Sequence, residues 1–393
     1  MLANYAKMAN DSGGLAKVAC AFSSELARRG HDIELVYSDE NTGAFFYPIE
    51  KRVRLVNLNA APDGSVIRFP LHLKAARELL RSFDKRRARA VNDHFQTKYL
   101  IGNVKKSLDA FKPEVIVSFQ PASARLLLSD LHVKAPVIVM SHGDPEDYFQ
   151  TYPTAELPAL EACAMNQVLM PSFERAITRH LPKAKTITIG NAIRQIPFQA
   201  DLAAEKPAYK IVTVGKLTQN HKRPHLLIEA FAKVAAKHPA WTLELWGAKD
   251  KEIYFKKLEA LIESSGLKGR VFLKGSTTDV PGVLKSTDLF AFPSAYEGFG
   301  MALAEGMSAG LPAVAYRSCP AVNELIEDGK TGILCDDGVE PFARALDTLM
   351  GDRELRIRMG AAAKTAMAEF APERIWDKWE RLIEAVAREK SAQ

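Results

Sequence analysis

Short apolar runs alternate with amphipathic stretches along most of this chain. Leu15, Val18, Ala19, Phe22 and Leu26 recur at helical spacing, and Gly30 stands where that helix should end. Residues 33–37, 115–119, 137–140, 167–170 and 186–189 are apolar runs of strand length. A polar stretch with one proline, residues 201–208, reads as a linker. The pattern then restarts with strands at 211–215, 242–247, 271–273, 288–292, 313–316 and 332–334, a helix opened by Pro224, and helices from about Glu340. Strand and helix in alternation predict an α/β protein of two doubly wound, Rossmann-like halves with parallel sheets, facing a central cleft. The first strand of the first half is the weak point, because residues 5–11, just before Gly13-Gly14, read poorly as a strand.

Composition changes this picture little. A length of 393 residues predicts two domains, and a 47% hydrophobic and 25% charged content is ordinary for a globular protein. No apolar stretch approaches the roughly 20 residues of a membrane span, and the first residues lack the apolar core of a signal peptide. Cys20, Cys163, Cys319 and Cys335 are scattered, without zinc-type spacing, which predicts a reduced, cytoplasmic setting. The net charge of +6 is partly clustered: between Arg68 and Lys112 twelve Lys and Arg oppose Glu78, Asp84, Asp93 and Asp109. Leu71, Leu73, Leu79, Leu80 and Phe83 interleave with them at roughly helical spacing. Such a stretch is either a solvated helix face or a surface for anionic headgroups or a charged acceptor. No recognition motif accompanies the charge, so nucleic acid is not expected.

The chemistry concentrates at residues 294–306. Glu297 and Glu305 lie eight positions apart, with Gly298-Phe299-Gly300 between them and an apolar strand before them. Glycines let the backbone approach a ligand, and a helix start offers unpaired N–H groups to phosphate. Two carboxylates around a phosphate site suit the hydroxyls of a nucleotide sugar. Upstream, Lys216 and Lys222 follow Gly215 at the end of a strand, as cations for a diphosphate. His142, in Ser141-His142-Gly143-Asp144, ends another apolar strand.

These motifs resemble the retaining, nucleotide-sugar-dependent glycosyltransferases of the GT-B fold, family 4, whose E-x7-E signature Glu297 and Glu305 match. The resemblance is strong over residues 211–349 and weaker before them. It implies that Glu297 lies near the donor sugar, that Glu305 binds the ribose, that the amides of Phe299, Gly300 and Met301 face the diphosphate or sugar, and that Gly298 belongs to the donor site. It further implies that Lys216 and Lys222 steady the leaving diphosphate, that His142 approaches the donor sugar, and that Gly14 belongs to a glycine loop touching donor or acceptor. Lysine at 216 departs from the family's more usual arginine, and Ala192 after Asn191 from its usual glycine. The implied organisation is an acceptor-side domain over residues 1–200, a nucleotide-sugar domain over 201–372, and a final helix over 373–393 crossing back. The implied activity is transfer with retention from a nucleotide sugar, with UDP favoured, to a saccharide or lipid-linked acceptor. No metal and no cofactor are expected, and the partners are the nucleotide sugar, its acceptor and, on one reading of the basic stretch, the anionic inner face of a membrane. A sugar-nucleotide epimerase and a catalytically silent partner of a transferase are the rival readings.

Overall fold

Seven short strands make one fully parallel sheet: β1 (Leu2–Asn4), β2 (Glu34–Tyr37), β3 (Arg54–Asn57), β4 (Ile116–Ser118), β5 (Val137–Met140), β6 (Met165–Val168) and β7 (Thr186–Thr188). Their spatial order is β3-β2-β1-β4-β5-β6-β7. Six more make a second parallel sheet: β8 (Tyr209–Val214), β9 (Trp241–Trp246), β10 (Val271–Gly275), β11 (Leu289–Phe292), β12 (Ala313–Tyr316) and β13 (Gly332–Cys335), ordered β10-β9-β8-β11-β12-β13. Central strands such as β5, β11 and β12 are buried along their whole length, as sheets covered by helices on both faces require. The computed structural model describes residues 1–11, 13–41 and 43–391.

Contacts divide the chain into unit 1, Met1–Ile189 with Trp376–Gln393, and unit 2, Gly190–Ile375. The stretch expected to end the first half and form a linker packs within unit 2 instead. There Ile193 N donates to Phe370 O (2.8 Å), Ala200 N to Ala309 O (2.7 Å), and Lys364 Nζ to Ile196 O (3.1 Å). In the polar part, Lys206 Nζ pairs with Asp288 Oδ1 at 2.6 Å, so this stretch is laid along unit 2 and is not a loose tether. The second division falls inside the last helix, Pro372–Ser391. In unit 1, Trp376 and Trp379 of that helix meet Phe22 edge-on, at 5.7 and 4.8 Å between centroids. Arg29 adds ion pairs to Asp377 and Glu380, both at 2.8 Å.

The doubtful first strand is present, but only three residues long and earlier than the glycines suggest. Leu2 and Ala3 pair with β2 on one side and β4 on the other. The poor strand at residues 5–11 is a loop, tied down by Asp39 Oδ2, which accepts from Met8 N and Ala9 N at 2.8 Å each.

In each sheet the strand order reverses next to the first strand, between β1 and β4 and between β8 and β11. Connections leave in opposite directions there, so a crevice opens at the carboxyl ends of the strands.

Candidate functional site

The reversal in unit 2 gathers most of the expected residues. After β8 the chain passes through Gly215 (φ 152°) and returns with Lys222 over it; a Cβ on Gly215 would lie 3.3 Å from Lys222 Cε. Lys222 Nζ reaches Glu297 Oε1 at 2.5 Å and sits 4.8 Å from the centre of the Phe292 ring. Loops 75 residues apart in sequence are thus joined by one ion pair across the reversal. Glu297 keeps only 12% of its side chain exposed and Lys222 27%, so water screens the pair weakly. The neighbouring Cys319 thiol is pushed up to about 12 by burial and then by the charge of Glu297, so it stays protonated.

Arg223 clamps the same two loops. It adopts a left-handed backbone conformation (φ 48°) at the start of the helix Pro224–Val234. Its guanidinium donates to Pro293 O (2.9 Å) and Ser294 O (3.0 Å) and lies 4.6 Å from the Tyr316 ring centre. Ala295 N donates to His221 O at 2.7 Å. A non-glycine residue in this conformation is strained, and these contacts hold it there. Sequence reasoning missed Arg223, because an arginine before a proline carries no signal of the carbonyls it will meet.

Beyond Glu297 the chain turns at Gly300 (φ 90°) into the helix Met301–Ser308, which has no side-chain cap. The first amides of a helix have no partner within it, and such a start is suited to an anion; Ala304 N is the first to pair, with Gly300 O at 3.0 Å. Any side chain at 300 would be strained by this backbone conformation, although its Cβ would make only ordinary contact with Val322 Cγ2 at 3.4 Å. Phe299 is buried edge-on against Phe370 (5.2 Å) and anchors the turn; Gly298 lies half-buried before it. Glu305 is half-buried one turn into the helix.

Lys216 is placed apart from this group. It pairs with Asp250 Oδ1 at 2.7 Å, beyond the ends of β8 and β9, and is more than half exposed. That hydrogen bond holds the Asp250 carboxyl below its usual range. Gly247 explains how the β8 and β9 ends approach so closely: a Cβ there would fall 1.9 Å from Gly215 O. Sequence reasoning passed over Gly247, although a glycine closes β9 as Gly215 closes β8.

In unit 1, His142 follows β5 and stacks on Phe119, 5.4 Å between centroids. Burial lowers its pKa to about 4, so the ring is neutral near pH 7, and its Nε2 has no hydrogen-bond partner among the described residues. Gly14 is the first residue of the helix Gly14–Arg28; the preceding amide, of Gly13, is taken by Asp11 Oδ1 at 2.8 Å. The basic stretch forms three α-helices, Leu71–Arg81, Lys85–Phe95 and Ile101–Phe111. The first buries no residue, and Leu71, Leu79 and Phe83 are 82%, 67% and 83% exposed. Among the described residues, no helix is long and apolar enough to cross a membrane.

Two parallel sheets of this order in one chain are the architecture of the GT-B glycosyltransferases. Sucrose-phosphate synthase from Thermosynechococcus elongatus superposes with a TM-score of 0.73 over 98% of each chain, at 17% identity. At that identity the likeness speaks for the fold. Sequence carries the comparison further within unit 2: residues 195–366 match the family of glycosyl transferases group 1. The lipopolysaccharide core biosynthesis glycosyltransferase LpsE of Rhizobium meliloti (strain 1021) is 30% identical over 185 residues, 47% of this chain and 51% of that protein. The GDP-mannose:cellobiosyl-diphosphopolyprenol alpha-mannosyltransferase of Komagataeibacter xylinus is 29% identical over 190 residues, 47% of each chain. The chain spans about half the length of the curated relatives it matches. Together these likenesses show the GT-B fold and, over residues 195–366, a sequence likeness to glycosyl transferases group 1.

Proposed function

We propose that this protein transfers a sugar from a nucleoside diphosphate donor to a saccharide or lipid-linked acceptor, with retention at the anomeric carbon and without a metal ion. The observation that carries the reading is the arrangement at the β8/β11 reversal. An uncapped helix start is preceded by Glu297, paired with Lys222, and followed one turn into the helix by Glu305. The donor diphosphate rests on the amides at Gly300 and Met301. Lys222, now neutralised by Glu297, turns to the phosphates, and Glu297 is released toward the sugar hydroxyls. Glu305 accepts from the ribose hydroxyls, and Lys216 adds positive potential at the rim. The acceptor oxygen bonds to the anomeric carbon as the carbon–oxygen bond to phosphate breaks on the same face. The acceptor proton passes to the departing phosphate oxygen, so atoms and charge balance. Neutral His142, with its free Nε2, accepts a hydrogen bond from a sugar hydroxyl, and the loop at Gly14 takes part in ligand binding. Preorganised N–H groups and lysine supply the charge stabilisation that a metal supplies elsewhere.

UDP-sugars are the favoured donors through the family resemblance, and GDP-mannose, named for the Komagataeibacter relative, is the competing one. The lipopolysaccharide role named for LpsE supports a place in bacterial surface-glycan assembly, in the cytoplasm. The exposed Leu71, Leu79 and Phe83, among cations, suit peripheral docking on the anionic inner face of the membrane. The test is a calorimetric screen of UDP-, GDP- and TDP-sugars, then turnover with the donor that binds. A new epimer formed from donor alone overturns transfer in favour of epimerisation, and an inverted product overturns retention.

A further inference from the structure

Unit 1 holds a cavity of about 720 Å³ outside the carboxyl ends of β1, β2 and β3, a volume typical of small-molecule sites. Tyr5 and Lys7 follow β1, Glu40 follows β2, and Asn59 follows β3; Arg68, Phe69, Lys74 and Arg77 close it from the basic stretch. Four cations therefore face one acid. Lys7, Arg68 and Lys74 have no ion pair among the described residues. Arg77 is held in place, bonded to Asn92 Oδ1 (3.2 Å) and Glu78 and lying 4.9 Å from the Phe69 ring centre. Phe69 also packs on Phe95 at 4.6 Å, so one wall is a fixed aromatic surface of the kind that takes the face of a sugar ring.

A second observation is independent of charge. Two wall residues carry polar atoms shut from solvent with no hydrogen-bond partner, Tyr5 Oη and Gln96 Oε1. Tyr5 is fixed by its own backbone, which donates to Gln120 Oε1 at 3.0 Å; Gln120 in turn donates to Asn4 Oδ1 at 2.8 Å. Buried polar atoms are nearly always paired, so these two mark a wall that still lacks partners.

We propose that this cavity binds a saccharide carrying a phosphate group, the phosphate held by Arg68, Lys74 and Lys7 and the sugar ring lying against Phe69. Arg77 is the preorganised cation, because its position does not depend on the ligand. The proposal rests on the transfer reading only in calling this ligand the acceptor.

The test titrates the full chain with glucose 6-phosphate, glucose and inorganic phosphate by calorimetry, and with UDP separately. Glucose 6-phosphate should bind saturably and at least tenfold more tightly than glucose or phosphate, weakening as salt rises. Arg68→Ser with Lys74→Ser should weaken it tenfold or more. Both side chains are exposed, so thermal unfolding should not change. Equal binding of phosphate and glucose 6-phosphate, or no effect of the double substitution, overturns the proposal. So does binding to phosphatidylglycerol vesicles that needs both cations while glucose 6-phosphate neither binds nor competes. UDP binding without glucose 6-phosphate binding sinks this proposal alone. Glucose 6-phosphate binding without nucleotide binding sinks the donor reading and leaves the cavity assigned.

Discussion

Removing the charge at Glu297 while leaving its shape asks how much the switch-point loops owe to their ion pair. Glu297→Gln keeps the side chain's length, and Lys222→Met keeps the apolar stem that lies over Gly215. The gross attraction at 2.5 Å is large, but both groups give up hydration, and Lys222 keeps 27% of its side chain in water. A charged hydrogen bond in such a setting contributes about 1.5–3 kcal/mol net, and the partial exposure of Lys222 places this one near the middle, about 2 kcal/mol. Each single substitution should therefore destabilise unit 2 by about 2 kcal/mol or somewhat more, since each leaves a half-buried partner unpaired. The double substitution should cost much less than the sum. The assay is a double-mutant cycle read by hydrogen exchange in peptides spanning β8 and β11, which isolates unit 2 from the rest of the chain. Repeating it at saturating UDP adds a functional arm, because a diphosphate that takes over Lys222 should shrink the coupling. Additivity within about 0.5 kcal/mol without nucleotide refutes the reasoning. An unchanged coupling with UDP bound refutes the handover of Lys222 while leaving the structural part intact.

Other outcomes follow from the same geometry. Gly247→Ala should destabilise unit 2 by about 3 kcal/mol or more, because the methyl group would meet Gly215 O at 1.9 Å in a conformation that disfavours side chains; urea unfolding measures it. His142 is neutral in the fold down to about pH 4, whereas the unfolded chain takes up its proton near 6.5. The unfolded state thus binds more protons across that window, so stability falls as pH drops from 6.5 toward 4, and His142→Phe should flatten that part of a melting-temperature profile. Glu156 behaves oppositely. Burial, then the charge and hydrogen bond of Asp93, raise its pKa to about 9, so the folded state holds a proton that the unfolded state has lost. Stability should decline as pH rises from about 4.5 to 9, and Glu156→Gln should remove the decline in the same assay. Trp379→Ala should cost about 3 kcal/mol or more of unit 1 stability through the lost contact with Phe22, read by hydrogen exchange in the helix Gly14–Arg28.

Legibility in the sequence tracked how local each feature is. The run ending at Phe292, the glycine turn and the helix at Met301 were readable because strand, turn and helix signals sit within 20 consecutive residues. The Rossmann-like order followed from alternation alone. β1 was hidden by its length, three residues, and by a loop whose anchor, Asp39, lies 30 residues away. β3 was missed outright: it is a half-exposed edge strand, too short and too polar to show alternation. The division at Ile189/Gly190 was unreadable because segment 190–200 has no strand or helix pattern of its own and packs by backbone bonds to residues more than 100 positions on. The two lysines looked like one pair of phosphate cations. Their separate partners, Asp250 and Glu297, come from different loops that only the sheet brings near.

The chain enters unit 2 once, at Gly190, and leaves it once, at Ile375, whereas unit 1 is assembled from both ends of the polypeptide. Unit 2 is therefore a cassette: one uninterrupted gene segment encodes a whole sheet with its proposed donor site. Recombination can exchange that segment at two breakpoints and leave Phe22 against Trp376 and Trp379 untouched. No single cut does the same for unit 1, since truncation before Trp376 strips the indoles from Phe22. Evolution of donor choice has a modular route in this architecture.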